Sequence, residues 1–236
     1  MTTKLTALIF DVDGTLAETE EAHRAAFNQA FADFGLPWRW DQPLYRELLR
    51  TSGGKERIRA FAAQYDPVRM DVGFDDLVAA LHRHKTTLYT ADVARGAVPF
   101  RPGILRTIHD ARAGGLRLAI ATTTSRANVI ALLDGATGGE GHAWFEVVAC
   151  AEDAPVKKPD PQVYDFVLAA MGLAPAACLA LEDSRNGVGA ARAAGIPVVV
   201  TESVYTEGDD FAGALAVYPD LSGVPFERLA ALHSGA

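Results

Sequence analysis

Cysteine is scarce in this chain, with two among 236 residues, Cys150 and Cys178, each beside an apolar run. So sparse a pair offers neither a disulfide framework nor the repeated spacing of a zinc site, and two inert buried thiols in a reducing compartment are expected. Positive charge is also in deficit: 22 Lys and Arg stand against 30 Asp and Glu, a formal net charge of −8. Such a balance repels nucleic acid and anionic membrane in bulk, so neither is expected as a partner, and an anionic ligand must meet a local concentration of cations. No run approaches the ~18 apolar residues that spanning a membrane requires. The opening stretch MTTKLTALIFDVDGT breaks its short apolar run at two aspartates and lacks the apolar core and cleavage site of a signal peptide. A cytoplasmic protein, monomeric and acting on a small molecule, is the expectation.

What is present is a core: 49% of the residues are hydrophobic, enough for one or two compact units. Short apolar runs at Leu5 to Phe10, Leu116 to Ala121, Phe145 to Ala149, Cys178 to Leu181 and Val198 to Val200 read as buried strands. Helical patterns at Ile104 to Ala113, Ala127 to Leu133, Pro161 to Met171 and Val188 to Ala194 separate most of them. Strand–helix alternation implies crossovers, and so an α/β fold with a doubly wound, Rossmann-like parallel sheet. From about Glu18 to Val93 the rhythm breaks into helical periodicity without a convincing strand, with helices predicted from Glu20 to about Gly35 and over Leu44 to Leu49, Glu56 to Gln64 and Phe74 to Tyr89. An α/β core of residues 1–17 and 94–236 with an inserted helical cap of residues 18–93 is therefore expected. Gly135 to Gly141 reads as a flexible surface loop.

Asp11-Val12-Asp13-Gly14-Thr15 lies at the carboxyl end of the first strand, where ligands of open α/β sheets bind, and the two-residue strand period sends both carboxylates to one side. Two carboxylates ~4 Å apart repel by roughly 4 kcal/mol at an effective dielectric near 20, which favours a shared proton or a cation. Glu182-Asp183 closes the fourth strand and brings further carboxylates to the same edge; hard oxygens without soft ligands select Mg²⁺ over zinc. Alone, Asp-x-Asp-Gly is no more than a capped turn. Two further elements change that: the hydroxyl run Thr122-Thr123-Thr124-Ser125 before a helix, suited to phosphate oxygens, and the stiff cationic loop Lys157-Lys158-Pro159-Asp160-Pro161.

These four elements, in this order, resemble the motifs of the haloacid dehalogenase superfamily of phosphotransferases over nearly the whole chain. The helical insertion is similar to the cap of the β-phosphoglucomutase-like group. Leu16-Ala-Glu-Thr-Glu20, Gly35-Leu-Pro-Trp-Arg-Trp40, Thr51-Ser-Gly-Gly-Lys-Glu-Arg57 and Ala121-Thr-Thr-Thr-Ser125 look like the CbbY-type phosphatases, which remove xylulose bisphosphate from the rubisco pathway. The resemblance implies a phosphoric monoester hydrolase acting on a small sugar phosphate. In it Asp11 is the nucleophile, Asp13 the general acid and base, Thr122 and Lys158 assist, and Mg²⁺ is held by Asp11, the Asp13 carbonyl and Asp183, with Glu182 beside them. A donating Asp13 must keep its proton near neutral pH, so a surrounding that raises its pKa is expected.

The cap carries the candidates for substrate choice. Arg50, Gly53, Gly54 and Lys55 form one group and His82 and Lys85 another; Lys55 and Lys85 match positions that grip substrate in similar proteins. Glu20 and Tyr45 are placed to meet sugar hydroxyls, and Thr123, Thr124, Ser125, Arg126 and Asn128 to meet a phosphate or sugar. Arg57, Arg59 and Arg83 read as a solvated face, His23 as a surface histidine, and Trp38 and Trp40 as packing. Two alternatives stay open: a β-phosphoglucomutase-type phosphomutase using the same aspartates, and a non-catalytic module that binds a phosphate ligand.

Overall fold

The computed structural model describes residues 3–235. Its centre is a six-stranded sheet, parallel throughout, of β1 (Ala7–Phe10), β2 (Arg117–Ala121), β3 (Val147–Ala149), β4 (Cys178–Glu182), β5 (Val198–Thr201) and β6 (Ala216–Tyr218), in the order β3-β2-β1-β4-β5-β6. The expected doubly wound sheet is present, with β6 added. That edge strand is three residues long and only half-buried, too short to register as an apolar run.

The insertion after β1 holds four α-helices, namely α1 (Glu20–Asp33), α2 (Gln42–Leu48), α3 (Gly54–Tyr65) and α4 (Phe74–Ala94), and no strand lies among residues 18–93. The other helices are α5 (Ile104–Ala113), α6 (Arg126–Thr137), α7 (Gln162–Met171), α8 (Arg185–Ala193) and α9 (Phe226–Ser234). Alternation along the strands divides the core. Leu8, Phe10, Leu118, Ile120 and Leu181 pack with α5, α6 and α9, while Ala7, Ile9, Ala119, Ala180 and Val198 pack with α7 and α8. No helix among the described residues is long and apolar enough to cross a membrane.

The inserted helices have a core of their own, built around aromatic rings. Trp40 is fully buried and meets Phe31 and Phe61 edge-on, with ring centroids at 4.9 and 5.6 Å, and lies 4.7 Å from Phe27. Asn28 fixes the Trp40 backbone from both sides, accepting its N–H at 2.7 Å and donating to its carbonyl at 2.8 Å. One residue from outside the insertion joins this cluster: Tyr205, after β5, stands edge-on to Tyr45 at 5.4 Å.

Two expectations need adjusting. Gly135 to Gly141 is not a flexible loop, because Gly135 to Thr137 form the last turn of α6 and a 3₁₀ turn begins at Gly141. The Thr137 hydroxyl donates to the Leu133 carbonyl at 2.6 Å and accepts the Gly141 N–H at 2.8 Å, so a side chain closes the segment that its glycines would leave open. Arg57 is not solvated. It is 8% exposed, lies over the Tyr45 ring at 5.2 Å and donates to the Tyr45 hydroxyl at 3.0 Å. Arg59 does lie at the surface, paired with Asp75 at 2.9 Å.

Replacing Trp40 by alanine removes the centre of the aromatic cluster and is expected to cost about 3–5 kcal/mol in urea denaturation. A loss below about 1 kcal/mol, the range of an ordinary surface change, would contradict this account of the helical core.

Candidate active site

The sheet reverses its winding between β1 and β4, and there the carboxyl ends of the strands border a cavity of about 730 Å³. Asp11, Asp13, Thr122, Lys158 and Asp183 line it from the sheet, and α1, α3 and α4 line it from the other side. The Asp11 N–H continues the ladder onto the Leu181 carbonyl at 3.0 Å, which fixes the backbone of the first carboxylate against β4.

Lys158 spends all three of its donors here: on Asp11 Oδ1 at 2.7 Å, on Glu182 Oε1 at 2.6 Å and on the Ala121 carbonyl at 2.9 Å. Tyr164 also donates to Glu182 Oε1, at 2.6 Å. Burial pulls the ammonium's pKa down, but Asp11 and Glu182 outweigh it and hold Lys158 above its usual range. Asp11 is pushed up to about 7 by burial, which Glu182 and Asp13 reinforce and Lys158 opposes. Burial, with Asp11 and Glu182 close by, also drives Asp183 well above the carboxylate range.

One oxygen from each of Asp11, Glu182 and Asp183 falls within 4.8 Å of the others and all three residues are buried, yet Lys158 pairs with only two of them, Asp11 and Glu182. Glu182 Oε2 has no hydrogen-bond partner. A donor set of buried carboxylates short of positive charge fits a hard divalent cation. Within it the roles differ, since Glu182 is fully buried behind Lys158 and does not line the cavity, whereas Asp11 and Asp183 do.

The Asp13 carboxylate lies outside this cluster. Its Oδ1 accepts from the Thr19 hydroxyl at 2.5 Å and meets His23 Nε2 at 3.2 Å, and His23 Nδ1 meets Lys85 Nζ at 2.7 Å. An ammonium can only donate, so with Lys85 charged His23 carries its proton on Nε2 and donates to Asp13. The expected rise in the Asp13 pKa is not found. Burial does push it up, but His23, Thr19 and Lys85 prevail and hold it down at about 2. Motif spacing could not reveal this, because the partners come from residues 19, 23 and 85. Lys85 in turn is pushed down to about 7, by burial above all.

Thr122 to Ser125 line the cavity together with Asn128, whose amide donates to the Thr124 hydroxyl at 2.9 Å and whose buried Oδ1 has no partner. Glu20, Arg50, Gly53, Gly54, Lys55, His82 and Lys85 line it as well. Gly54 serves packing, since a Cβ there would stand 2.8 Å from the His82 ring. Two expected binding residues do not face the cavity. Arg126 is drawn away to Asp153 at 2.5 Å and to the Val148 carbonyl at 3.2 Å. Tyr45 is fully buried and donates to Glu20 at 2.8 Å, so it orients a lining residue from behind.

His23 belongs to the site, contrary to its surface reading. Lys157, Arg185 and Asn186 line the cavity too, as do Ser203 and Thr206 on the loop after β5. Arg185 and Asn186 directly follow Asp183-Ser184 and could have been found by adjacency; the loop after β5 has no motif to mark it. Burial pushes the Cys150 and Cys178 thiols up to about 12 and about 11, in line with inert cysteines.

The family model described as haloacid dehalogenase-like hydrolase matches residues 5–195. Protein CbbY of Rhodobacter capsulatus is 50% identical over 229 residues, 96% of this chain and 98% of that protein. The crystal structure of a CbbY variant from Rhodobacter sphaeroides in complex with xylulose-(1,5)bisphosphate is similar at a TM-score of 0.85 and 43% identity, covering 92% of this chain and 95% of that one. A β-phosphoglucomutase from Clostridium difficile shares the fold at a TM-score of 0.78 with 18% identity, covering 98% of each chain.

The cavity's electrostatics carry a consequence for stability. Burial, with Lys85 and Lys55 nearby, pushes His82 down to about 4 from its ordinary 6.5. Between these values the unfolded chain holds a proton that the folded chain does not, so this histidine makes stability fall as pH drops from about 6.5 toward 4. His82→Asn is expected to lessen that fall, read as the urea midpoint across the window. Parallel curves for the variant and the parent would contradict the assignment.

Proposed function

Because the chain belongs to the haloacid dehalogenase-like hydrolases, we propose that it is a Mg²⁺-dependent sugar-phosphate phosphatase that hydrolyses xylulose-1,5-bisphosphate through an aspartyl phosphate on Asp11. The observation that carries this reading is the pairing of Asp11 with Lys158 on the floor of a cavity whose other wall presents Arg50, Lys55, His82 and Lys85. A nucleophile for one phosphate thus faces Arg50, Lys55 and Lys85 as cations for a second, with His82 beside them as a neutral hydrogen-bonding group.

Asp11 attacks phosphorus in line, the bond from phosphorus to the sugar oxygen breaks, and Asp13 gives the departing alkoxide its proton. Water then attacks the aspartyl phosphate, Asp13 takes its proton, and the bond to Asp11 breaks to release inorganic phosphate. Phosphoryl transfer asks mainly for position and charge neutralisation. Lys158 supplies both to Asp11, and the Thr122 hydroxyl and its neighbours suit the equatorial oxygens. The low pKa of Asp13 keeps it ionised, the form its second task requires. For the first, an incoming phosphate dianion raises that pKa by like-charge repulsion, so the proton it donates is taken up with substrate. Asp11 and Asp183 would hold Mg²⁺, with the Asp13 main-chain carbonyl, and the bound ion would neutralise charge on the phosphoryl oxygens.

Residues 18–93 act in this reading as a cap that shields the phosphoenzyme from bulk acceptors. The xylulose bisphosphate assignment rests on the likeness to CbbY proteins at 44–50% identity. The phosphomutase alternative has only the fold likeness at 18% identity behind it.

With Mg²⁺ and a panel of sugar mono- and bisphosphates, phosphate release is expected to be fastest on xylulose-1,5-bisphosphate, ahead of ribulose-1,5-bisphosphate by at least about tenfold in kcat/KM. Equal rates across the panel would remove the assignment. Asp11→Asn should lower kcat at least about 10³-fold with the fold intact; release at the parent rate would rule out the covalent route. Lys55→Ala should raise KM for the bisphosphate about tenfold with little change in kcat, and an unchanged KM would discard its role.

A further inference from the structure

The segment that returns the chain from α4 to the sheet carries a buried arginine that no step above uses. Arg101 is 7% exposed, and both Nη groups of its guanidinium donate to main-chain carbonyls. Nε pairs with Glu18 Oε1 at 2.9 Å. Nη1 donates to the main-chain carbonyls of Gly14 and Thr201, the latter at 3.0 Å, with the Thr201 hydroxyl also in reach at 3.2 Å. Nη2 donates to the carbonyls of Glu202 and Pro219, the latter at 2.8 Å. The Arg101 N–H itself donates to the Leu16 carbonyl at 2.8 Å, beside the bridge between Ala17 and Phe100.

One planar fork therefore ties the turn after Asp13 to the backbone just past β5 and β6. A lysine keeps the charge but not the geometry, because a compact ammonium cannot serve five acceptors spread over such a plane.

Gly14 makes this position sensitive. Its φ is 81°, and a Cβ there would lie 2.1 Å from Asp183 Oδ2. The glycine is thus flush against Asp183 while Arg101 holds its carbonyl. The carboxylate of Asp13 hangs from the residue immediately before, and that of Asp11 two residues earlier still.

We infer that Arg101 is a positioning residue for phosphoryl transfer: by holding the Gly14 carbonyl it sets the Asp13–Gly14 turn against Asp183, and so fixes the approach of Asp13 to the leaving oxygen. Arg101 does not line the cavity, so it acts through the turn and not on substrate. The inference rests on the catalytic roles given above to Asp11 and Asp13.

The test is steady-state kinetics of the full chain with Mg²⁺ and xylulose-1,5-bisphosphate, for Arg101→Lys, Arg101→Ala and Glu18→Gln, with circular dichroism to establish folding. A small misplacement of a reacting group can cost up to about 10²-fold. Folded Arg101→Lys is therefore expected to lose about 10- to 100-fold in kcat with KM within about twofold, and added guanidinium should restore part of the kcat of Arg101→Ala. Glu18→Gln, which leaves the carbonyl fork in place but removes the charged partner of Nε, should lose about threefold to tenfold in kcat at an unchanged KM.

A folded Arg101→Lys with the parent kcat, or a loss confined to KM, would overturn the inference. So would Arg101 variants that fail to fold alongside a Glu18→Gln variant of full kcat, which would assign Arg101 to folding alone. A parent protein inert on the whole phosphate panel would instead remove the phosphatase reading beneath it.

Discussion

A buried ammonium joins the ends of three adjacent strands, and the cavity's chemistry depends on it. Lys158 reaches Asp11 after β1, the Ala121 carbonyl at the end of β2 and Glu182 at the end of β4, each at hydrogen-bond distance. Without it two buried carboxylates would face each other uncompensated, and breaking such a pair costs about 3–5 kcal/mol. With it Asp11 is oriented and partly neutralised, while Asp183 is left with too little positive charge nearby. The same arrangement thus fixes the proposed nucleophile and leaves a place for a hard cation. Tyr164, behind Glu182, keeps the acceptor of that lysine in place.

A second polar network faces the first across the cavity and belongs mostly to the inserted helices. Lys85 on α4 engages His23 on α1, and His23 engages Asp13, so the acid and base of the proposed reaction is held by the inserted helices and its nucleophile by the sheet. Tyr45 and Arg57 extend this network beneath Glu20. Contact between the two halves is also apolar, through Tyr205 inside the aromatic cluster, and polar, through Arg46 donating to the Glu207 carbonyl. Moving the helical layer away would therefore change the hydrogen bonds of Asp13 while leaving those of Asp11 intact.

The parts of the fold legible in the sequence are those whose physics is local. Five of the six strands are apolar runs, and β6 escaped because three half-buried residues make no run. Asp11, Asp13, Thr122, Lys158 and Asp183 stood out because each closes or follows a strand, and the parallel sheet brings such positions to one edge. What stayed hidden depends on long-range contact. Arg57 looks like a surface arginine until Tyr45 and the Leu48 carbonyl enclose it. The low pKa of Asp13 needs partners from outside its motif, Thr19, His23 and Lys85, and Arg101 sits in no motif at all. Arg126 misled for the opposite reason: its position after the hydroxyl run suggested phosphate, but Asp153 claims it.

The most direct test is to trap the covalent step. Rapid acid quench of the enzyme turning over xylulose-1,5-bisphosphate labelled with ³²P, followed by peptide mapping, should find a label that survives acid, is released by hydroxylamine and resides on Asp11. Turnover with no label on the protein, or a label on any other residue, would contradict the account.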